Sequence, residues 1–246
     1  MEGCSLILNT VLFAIIQFLV NIIQAITGFA GGPLAMPPSI AIVGAQDAKA
    51  AVTFLLWLSS LTVSIRSIKD INFKQLLIMI LGMLPGVVLG LWLFSNSPLN
   101  ILMLIYGIVV ILIGLKKLLI KDKGELPKWL RYAAILLAGL MQGMFTSGGP
   151  FLAIYSTAAI KDKREFRATV SSVWSLLNIY MVISMFRSNM YTPVTGKLIA
   201  VSVIPLFIAI AIGNILNKKM KQEFFLKFVY CLLIVSGSLL IYNYFA

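Results

Sequence analysis

The sequence contains no histidine, and only eight of its 246 residues are acidic. None of the acidic side chains falls in the middle of an apolar segment, so the usual intramembrane proton relay has no obvious candidate. Without histidine, a membrane serine hydrolase lacks its general base. These absences argue against a membrane enzyme and against a metal transporter, and they give no reason to expect a cofactor.

Charge and cysteine are also scarce. Charged residues make up 11% of the chain, against roughly a quarter in soluble proteins. Cys4 and Cys231 lie near or within apolar segments, so they indicate neither a disulfide framework nor a zinc site. By contrast, 60% of the residues are hydrophobic and the mean hydropathy is +1.00. The composition therefore predicts an integral membrane protein.

The apolar segments predict an all-α fold with eight long helices, because about 20 apolar residues span the hydrocarbon core. The predicted long helices cover residues 5–26, 48–68, 73–94, 99–119, 131–145, 166–187, 197–216 and 225–244. Two shorter apolar pieces, 33–44 and 150–160, each follow a glycine-rich break. Both are too short to span comfortably, so we interpret them as half-helices or re-entrant segments.

The net charge of +12 is carried by short basic clusters between apolar segments. This is the pattern of the positive-inside rule, and anionic lipid headgroups are sufficient partners for it. A nucleic-acid partner is therefore not expected. The clusters place residues 121–130 on the cytoplasmic side of a plasma membrane, and the uncharged connection at residues 95–100 outside. On this scheme the N-terminus and the C-terminus both lie outside.

The chain predicts an internal repeat. "GGPLA" begins at Gly31 and "GGPFLA" begins at Gly148, 117 positions later, and the same separation relates Trp57 to Trp174. Hydropathy and charge then divide one membrane domain into a first repeat (1–120), the connecting loop (121–130) and a second repeat (131–246). The charge pattern predicts that the second repeat is inverted relative to the first.

The breaks at residues 27–33 and 146–150 are the candidate binding site. Non-helical backbone at membrane depth must be buried in protein or line a wet cavity, and paired breaks in two repeats are typical of transporter sites. Pro33 and Pro150 suit the first turn of a helix, so the glycines before them would present free N–H groups to an anion. The candidate binding residues are Gln24, Thr27, Gly28, Gly31, Gly32, Trp57, Gln142, Thr146, Ser147, Gly148, Gly149, Trp174 and Asn178.

Another interpretation of the glycines remains open. They could serve only close helix packing or a kink, and the two tryptophans could serve packing or interfacial anchoring. Repetition in both halves favours a site. If the glycines face a ligand, bulky replacements at Gly32 or Gly149 should remove anion binding and leave a folded protein.

The motifs also resemble a known family. "GFAGGPL", followed by "AQDAKAAVTFLLWLSSLTVSIR", is similar to the repeat signature of the sulfite exporter family TauE/SafE, and "MQGMFTSGGPFLAIY" looks like its degenerate second copy. The resemblance covers essentially the whole chain. It implies a multi-pass permease for sulfite or organosulfonates, with alternating access as the expected mechanism. An anion channel, or a scaffold that uses the breaks only for packing, is the alternative, and a homo-oligomer is left open.

Overall fold

The computed structural model describes residues 2–119 and 127–219, together with residues 231, 234, 235, 238, 241 and 242. The first two ranges form α-helices joined by short connections, with one 3-10 turn at Ile68–Asp70 and no β-strand. The helices are α1 (Glu2–Thr27), α2 (Gly31–Val43), α3 (Ala45–Arg66), α4 (Phe73–Asn96), α5 (Leu99–Leu119), α6 (Lys128–Phe145), α7 (Gly149–Ala159), α8 (Lys163–Arg187) and α9 (Pro193–Lys219).

The observed helices match the predicted ones closely. The predicted helix 99–119 and α5 have the same ends, and α3, α8 and α9 begin three or four residues earlier than predicted. The half-helices predicted over 33–44 and 150–160 are the short helices α2 and α7. The helix predicted over 225–244 and most of the loop predicted over 121–130 lie outside the described residues.

The predicted class, an all-α integral membrane protein, is confirmed. Among the residues that the structure describes, five helices are long and apolar enough to cross a membrane: Ile7–Thr27, Ala45–Arg66, Phe73–Asn96, Arg164–Arg187 and Pro193–Lys219. Their outer faces carry large exposed apolar side chains, as at Leu77, Ile183 and Ile204. In a membrane such faces meet lipid, so they do not need a covering protein surface.

Three helix pairs organise the packing. Helix α1 lies along α9, α4 lies along α6, and α3 lies along α8 between these two pairs. The short helix α2 packs on α1 and α3, and α7 packs on α6. The buried apolar side chains form two clusters, one centred on α1, α2, α3 and α9 and the other on α4, α6, α7 and α8.

Glycines bring α4 and α6 into backbone contact. A Cβ atom added at Gly139 would lie 2.1 Å from the carbonyl oxygen of Met83, and one at Gly143 would lie 2.2 Å from that of Val87. Gly86 and Gly90 on α4 face the backbone of α6 in the same way. Small residues four apart on both helices allow this approach, as is common in membranes. This contact between α4 and α6 fixes the position of α6, and therefore also the position of the second break, which begins where α6 ends.

Candidate functional site

Both breaks begin with the same local structure. Helix α1 ends before Gly28, which has φ +80°, and α6 ends before Thr146, which has φ +53°. In this left-handed conformation the N–H of Gly28 donates to the carbonyl of Gln24 at 2.7 Å, and the N–H of Thr146 donates to the carbonyl of Gln142 at 2.8 Å. A left-handed residue after the last helical turn is a common helix C-cap. Each long helix is therefore terminated locally, before the half-helix starts.

A glutamine side chain caps the start of each half-helix. The side-chain oxygen of Gln24 accepts the N–H of Gly31 at 2.8 Å, and that of Gln142 accepts the N–H of Gly148 at 3.0 Å. The prediction that the glycine N–H groups are free is therefore wrong for Gly31 and Gly148. Buried helix ends need such partners, and an amide oxygen from the preceding helix supplies one. Within the described chain, no acceptor is assigned to the N–H of Gly32 or Gly149.

The amide nitrogen of each glutamine reaches toward the central helix pair. Gln24 Nε2 donates to Ser60 Oγ at 3.5 Å, and Gln142 Nε2 donates to Asn178 Oδ1 at 2.6 Å. Both bonds join residues 36 positions apart, so Ser60 on α3 and Asn178 on α8 occupy equivalent places. The glutamines thus tie each break to the α3–α8 pair. Both glutamines and Asn178 were predicted as site residues, and the structure brings them together.

The two breaks cross in direct backbone contact. A Cβ atom added at Gly32 would lie 1.7 Å from the carbonyl oxygen of Thr146, and one at Gly149 would lie 2.1 Å from that of Phe29. Close backbone packing is therefore one role of these two glycines. It contradicts the expectation that bulky replacements there leave the fold intact, because the opposite backbone would have to move.

A small cavity lies where the breaks meet. It is lined by Gln24, Phe29, Gly32, Leu56, Gln142, Thr146, Gly149, Trp174 and Asn178, none of which carries a formal charge. The space available to a water-sized sphere is about 10 Å³, close to what one water needs. In this conformation the cavity is almost filled by its own side chains.

The two predicted tryptophans have different positions. Trp174 lines the cavity and is buried, and its indole Nε1, which can only donate, has no hydrogen-bond partner. Trp57 is partly exposed, does not line the cavity and packs against the ring of Phe54. The predicted equivalence of Trp57 and Trp174 is wrong, because the contacts of α3 and α8 are related by a shift of 118 positions, which pairs Leu56 with Trp174.

The remaining candidates lie beside the cavity without lining it. Thr27 Oγ1 donates to the carbonyl of Ile23 at 2.8 Å and accepts the N–H of Ala30 at 3.2 Å, so this hydroxyl shapes the first break. The predicted residues that do not line the cavity are Thr27, Gly28, Gly31, Trp57, Ser147 and Gly148.

Two cavity residues, Phe29 and Leu56, were not predicted from the sequence, and neither was a contact between the hydroxyl groups of Thr53 and Thr146. Thr53 Oγ1 on α3 lies 2.6 Å from Thr146 Oγ1, both buried, and this bond ties the second break to the first half of the chain. The polar positions of α3 were visible in the sequence. Which of them faces a break depends on the rotation of α3, which the sequence pattern does not give.

A helical membrane protein in which two interrupted helices meet at a buried polar cavity has the architecture typical of a secondary transporter. The family model "Sulfite exporter TauE/SafE" matches residues 13–240, and the chain belongs to this family. The chain is also similar to the "Probable inner membrane transporter protein TsaS" of Comamonas testosteroni. The two are 22% identical over 172 residues, which cover 69% of this chain and 72% of that protein. No solved structure matches the chain.

These findings confirm the resemblance seen in the sequence. The chain is a membrane transporter, with several spans in the plasma membrane.

Proposed function

We propose that the protein carries a small anion, sulfite or an organosulfonate, across the plasma membrane, and that the anion binds where the two breaks meet. The observation that carries this proposal is the indole N–H of Trp174. This N–H is buried and has no acceptor, and Trp174 is one of the residues that line the central cavity. A buried donor without an acceptor is costly, and an oxyanion entering the cavity would supply the missing one.

The other donors around the cavity suit the same ligand. The N–H groups of Gly32 and Gly149 belong to the first turns of α2 and α7, where the helix dipole favours negative charge. The side chains of Gln24 and Gln142 also line the cavity, and their amide nitrogens, which here donate to Gly28, Ser60 and Asn178, would exchange one of these acceptors for the anion. Neutral donors of this kind can hold an anion that must also be released, since no fixed countercharge lines the cavity. The site would therefore bind by hydrogen bonds and dipoles.

We further propose that transport uses alternating access between two inverted repeats. The pairing of α1 with α9 and of α4 with α6, the two glutamine caps and the two left-handed residues are the contacts that such a repeat would produce. The cavity has room for about one water, so an anion with several heavy atoms needs a rearrangement in order to enter. Movement of one repeat against the other would open the cavity to one face at a time.

Uptake into proteoliposomes tests the proposal, with Trp174→Phe as the diagnostic variant and Trp57→Phe as its matched control. Trp174→Phe keeps an aromatic ring but removes the donor. A hydrogen bond to a charged group contributes about 1.5–3 kcal/mol, so the apparent KM for the anion should rise about ten-fold or more. Trp57 lies outside the cavity, and Trp57→Phe should leave KM unchanged.

Melting temperatures separate a binding effect from a folding effect. Trp174→Phe removes no hydrogen bond from the ligand-free protein, so any fall in its melting temperature reflects the smaller ring, and added sulfite should raise that temperature less than in wild type. Flux that rises linearly with anion concentration would indicate a channel. Absence of flux for sulfite and for every organosulfonate tested would overturn the substrate class, and equal KM values for Trp174→Phe and wild type would overturn the site.

A further inference from the structure

Lys49 is a lysine with no exposed surface inside a membrane-spanning helix. It lies in the first part of α3, and its Nζ has no hydrogen-bond partner. The ammonium sits 3.4 Å from the centroid of the Phe94 ring, which packs edge-on against Phe145. A cation–π contact offsets part of the cost of burying an ammonium, but an unpaired cation in a membrane span is expensive and usually functional.

Arg167 occupies the equivalent position in the second half. The sequence "DAKAAVT" from Asp47 aligns with "EFRATVS" from Glu165, which places Lys49 opposite Arg167. The neighbouring carboxylates make equivalent contacts. Asp47 accepts a hydrogen bond from Thr192 at the start of α9, and Glu165 accepts one from Asn72 at the start of α4.

Each of the two cations lies one helical turn from a residue that contacts a break. Four residues after Lys49, Thr53 bonds to Thr146 of the second break. Four residues after Arg167, the hydroxyl of Ser171 lies 3.4 Å from the place where a Cβ of Gly28 would stand. Side chains four apart share one face of a helix, so both cations lie on the helix faces that contact the breaks.

The surroundings of the two cations differ. Arg167 lines a cavity of about 710 Å³ between the ends of α3, α8 and α9, together with Arg66, Arg164, Lys218 and one acidic residue, Asp70. One nitrogen of its guanidinium donates to Asn214, and its Nε is buried without a partner. Lys49 is closed off from solvent altogether. We call the cavity at Arg167 the basic vestibule.

We propose that Lys49 and Arg167 are equivalent anion-binding residues on the two access pathways, and that this conformation is open at Arg167 and closed at Lys49. The inference rests on the proposed function, because it needs an anion that crosses. When the protein opens at the other face, the ammonium of Lys49 is exposed and receives the anion that leaves the central cavity. The Arg167 side then closes around its guanidinium.

Kinetics measured separately at the two faces test the inference. The variants are Lys49→Met and Arg167→Met, which remove the charge and keep an apolar stem. In proteoliposomes of defined orientation, Lys49→Met should raise the KM for sulfite about ten-fold at the face opposite the vestibule, with less than about two-fold change at the vestibule. Arg167→Met should give the opposite result, and Lys49→Arg should restore most of the loss.

Exposed lysines near each pathway provide matched controls. Lys197 near the start of α9 and Lys219 at its end are exposed, and Lys197→Met and Lys219→Met remove the same charge from a solvated position. Neither should change KM at either face by more than about two-fold, because solvent and salt screen exposed charges. An equal effect of a control and of Lys49→Met at the same face would show that only the general surface charge matters.

Stability distinguishes binding from a structural role. Replacing an unpaired buried ammonium by an apolar chain should leave the melting temperature unchanged or raise it, because Nζ makes no hydrogen bond that the variant would lose. A fall in both melting temperature and transport with no difference between faces would overturn the inference. If wild-type protein carries no anion, the proposed function fails. If wild type transports and both Met variants keep normal KM values, only this inference fails.

Discussion

The two breaks share a backbone design and differ in what surrounds them. Each has a residue in the left-handed conformation, a glutamine cap and a glycine that packs directly against the backbone of the opposite break. Arg167, near the first break, lines the basic vestibule, whereas Lys49, near the second break, has no exposed surface. Equivalent local structures can therefore sit in unequal environments, which is what a two-state transporter requires in any single conformation.

The two long helix pairs show a second difference. Four glycines bring the backbones of α4 and α6 into contact, whereas the described side of the α1–α9 pair has one such glycine, Gly213, whose nearest neighbours are Ala25 Cβ and the carbonyl of Ile22. The α4–α6 pair is thus closer and has less room for adjustment. Each pair joins one helix of each predicted repeat, so movement of one repeat against the other should meet more resistance along α4–α6 than along α1–α9.

The largest expected effect comes from breaking the contact between the two breaks. In Gly32→Val and Gly149→Val the new Cβ meets a carbonyl oxygen at 1.7 and 2.1 Å, so backbone must shift. We expect destabilisation above about 4 kcal/mol, seen as loss of a monodisperse peak and of a cooperative melting transition. Gly196→Ala is the control, because nothing lies within 4 Å of its Cβ position. A folded Gly32→Val protein with a normal melting temperature would contradict the crossing geometry.

A smaller effect is expected from single methyl groups on the two helix pairs. Gly139→Ala places its Cβ 2.1 Å from the carbonyl oxygen of Met83, whereas the nearest neighbour of Gly213→Ala is a Cβ at 2.6 Å. Overpacking typically costs about 1–3 kcal/mol, or about 2–4 °C in melting temperature per kcal/mol for a domain of this size. Gly139→Ala should fall at the upper end and Gly213→Ala at the lower. Equal shifts would remove the distinction between the pairs.

An effect of about the same size or smaller is expected from the glutamine caps. Gln142→Leu leaves the N–H of Gly148 without its acceptor and removes the 2.6 Å bond to Asn178, which should cost about 1–3 kcal/mol. Gln24→Leu should cost less, because Gln24 Nε2 donates only long bonds, to the carbonyl of Gly28 at 3.3 Å and to Ser60 at 3.5 Å. Thermal melting of both variants, with the exposed Gln46→Leu as control, measures the difference. A larger loss for Gln24→Leu would reverse the ranking of the two caps.

Much of the fold was predictable because charge and hydropathy mark the membrane segments directly. The two half-helices followed from proline after paired glycines, and four of the candidate residues, Gln24, Gln142, Trp174 and Asn178, line one cavity. The orientation of the termini, the repeat boundaries and the site assignment stay predictions. The acceptors of the N–H groups of Gly31 and Gly148 were missed. Each acceptor is a glutamine side chain, seven residues before Gly31 and six before Gly148, and the local sequence looks the same whether or not such a side chain caps the helix.

The sequence by itself determined a helical membrane protein with two interrupted helices, because apolar length and proline position act locally along the chain. Only the tertiary structure decided that Gly32 and Gly149 face each other's breaks, that Leu56 rather than Trp57 stands opposite Trp174, and that Lys49 is sealed. Those facts depend on the rotation and approach of whole helices. Packing between distant segments sets both, and residue spacing alone does not encode them.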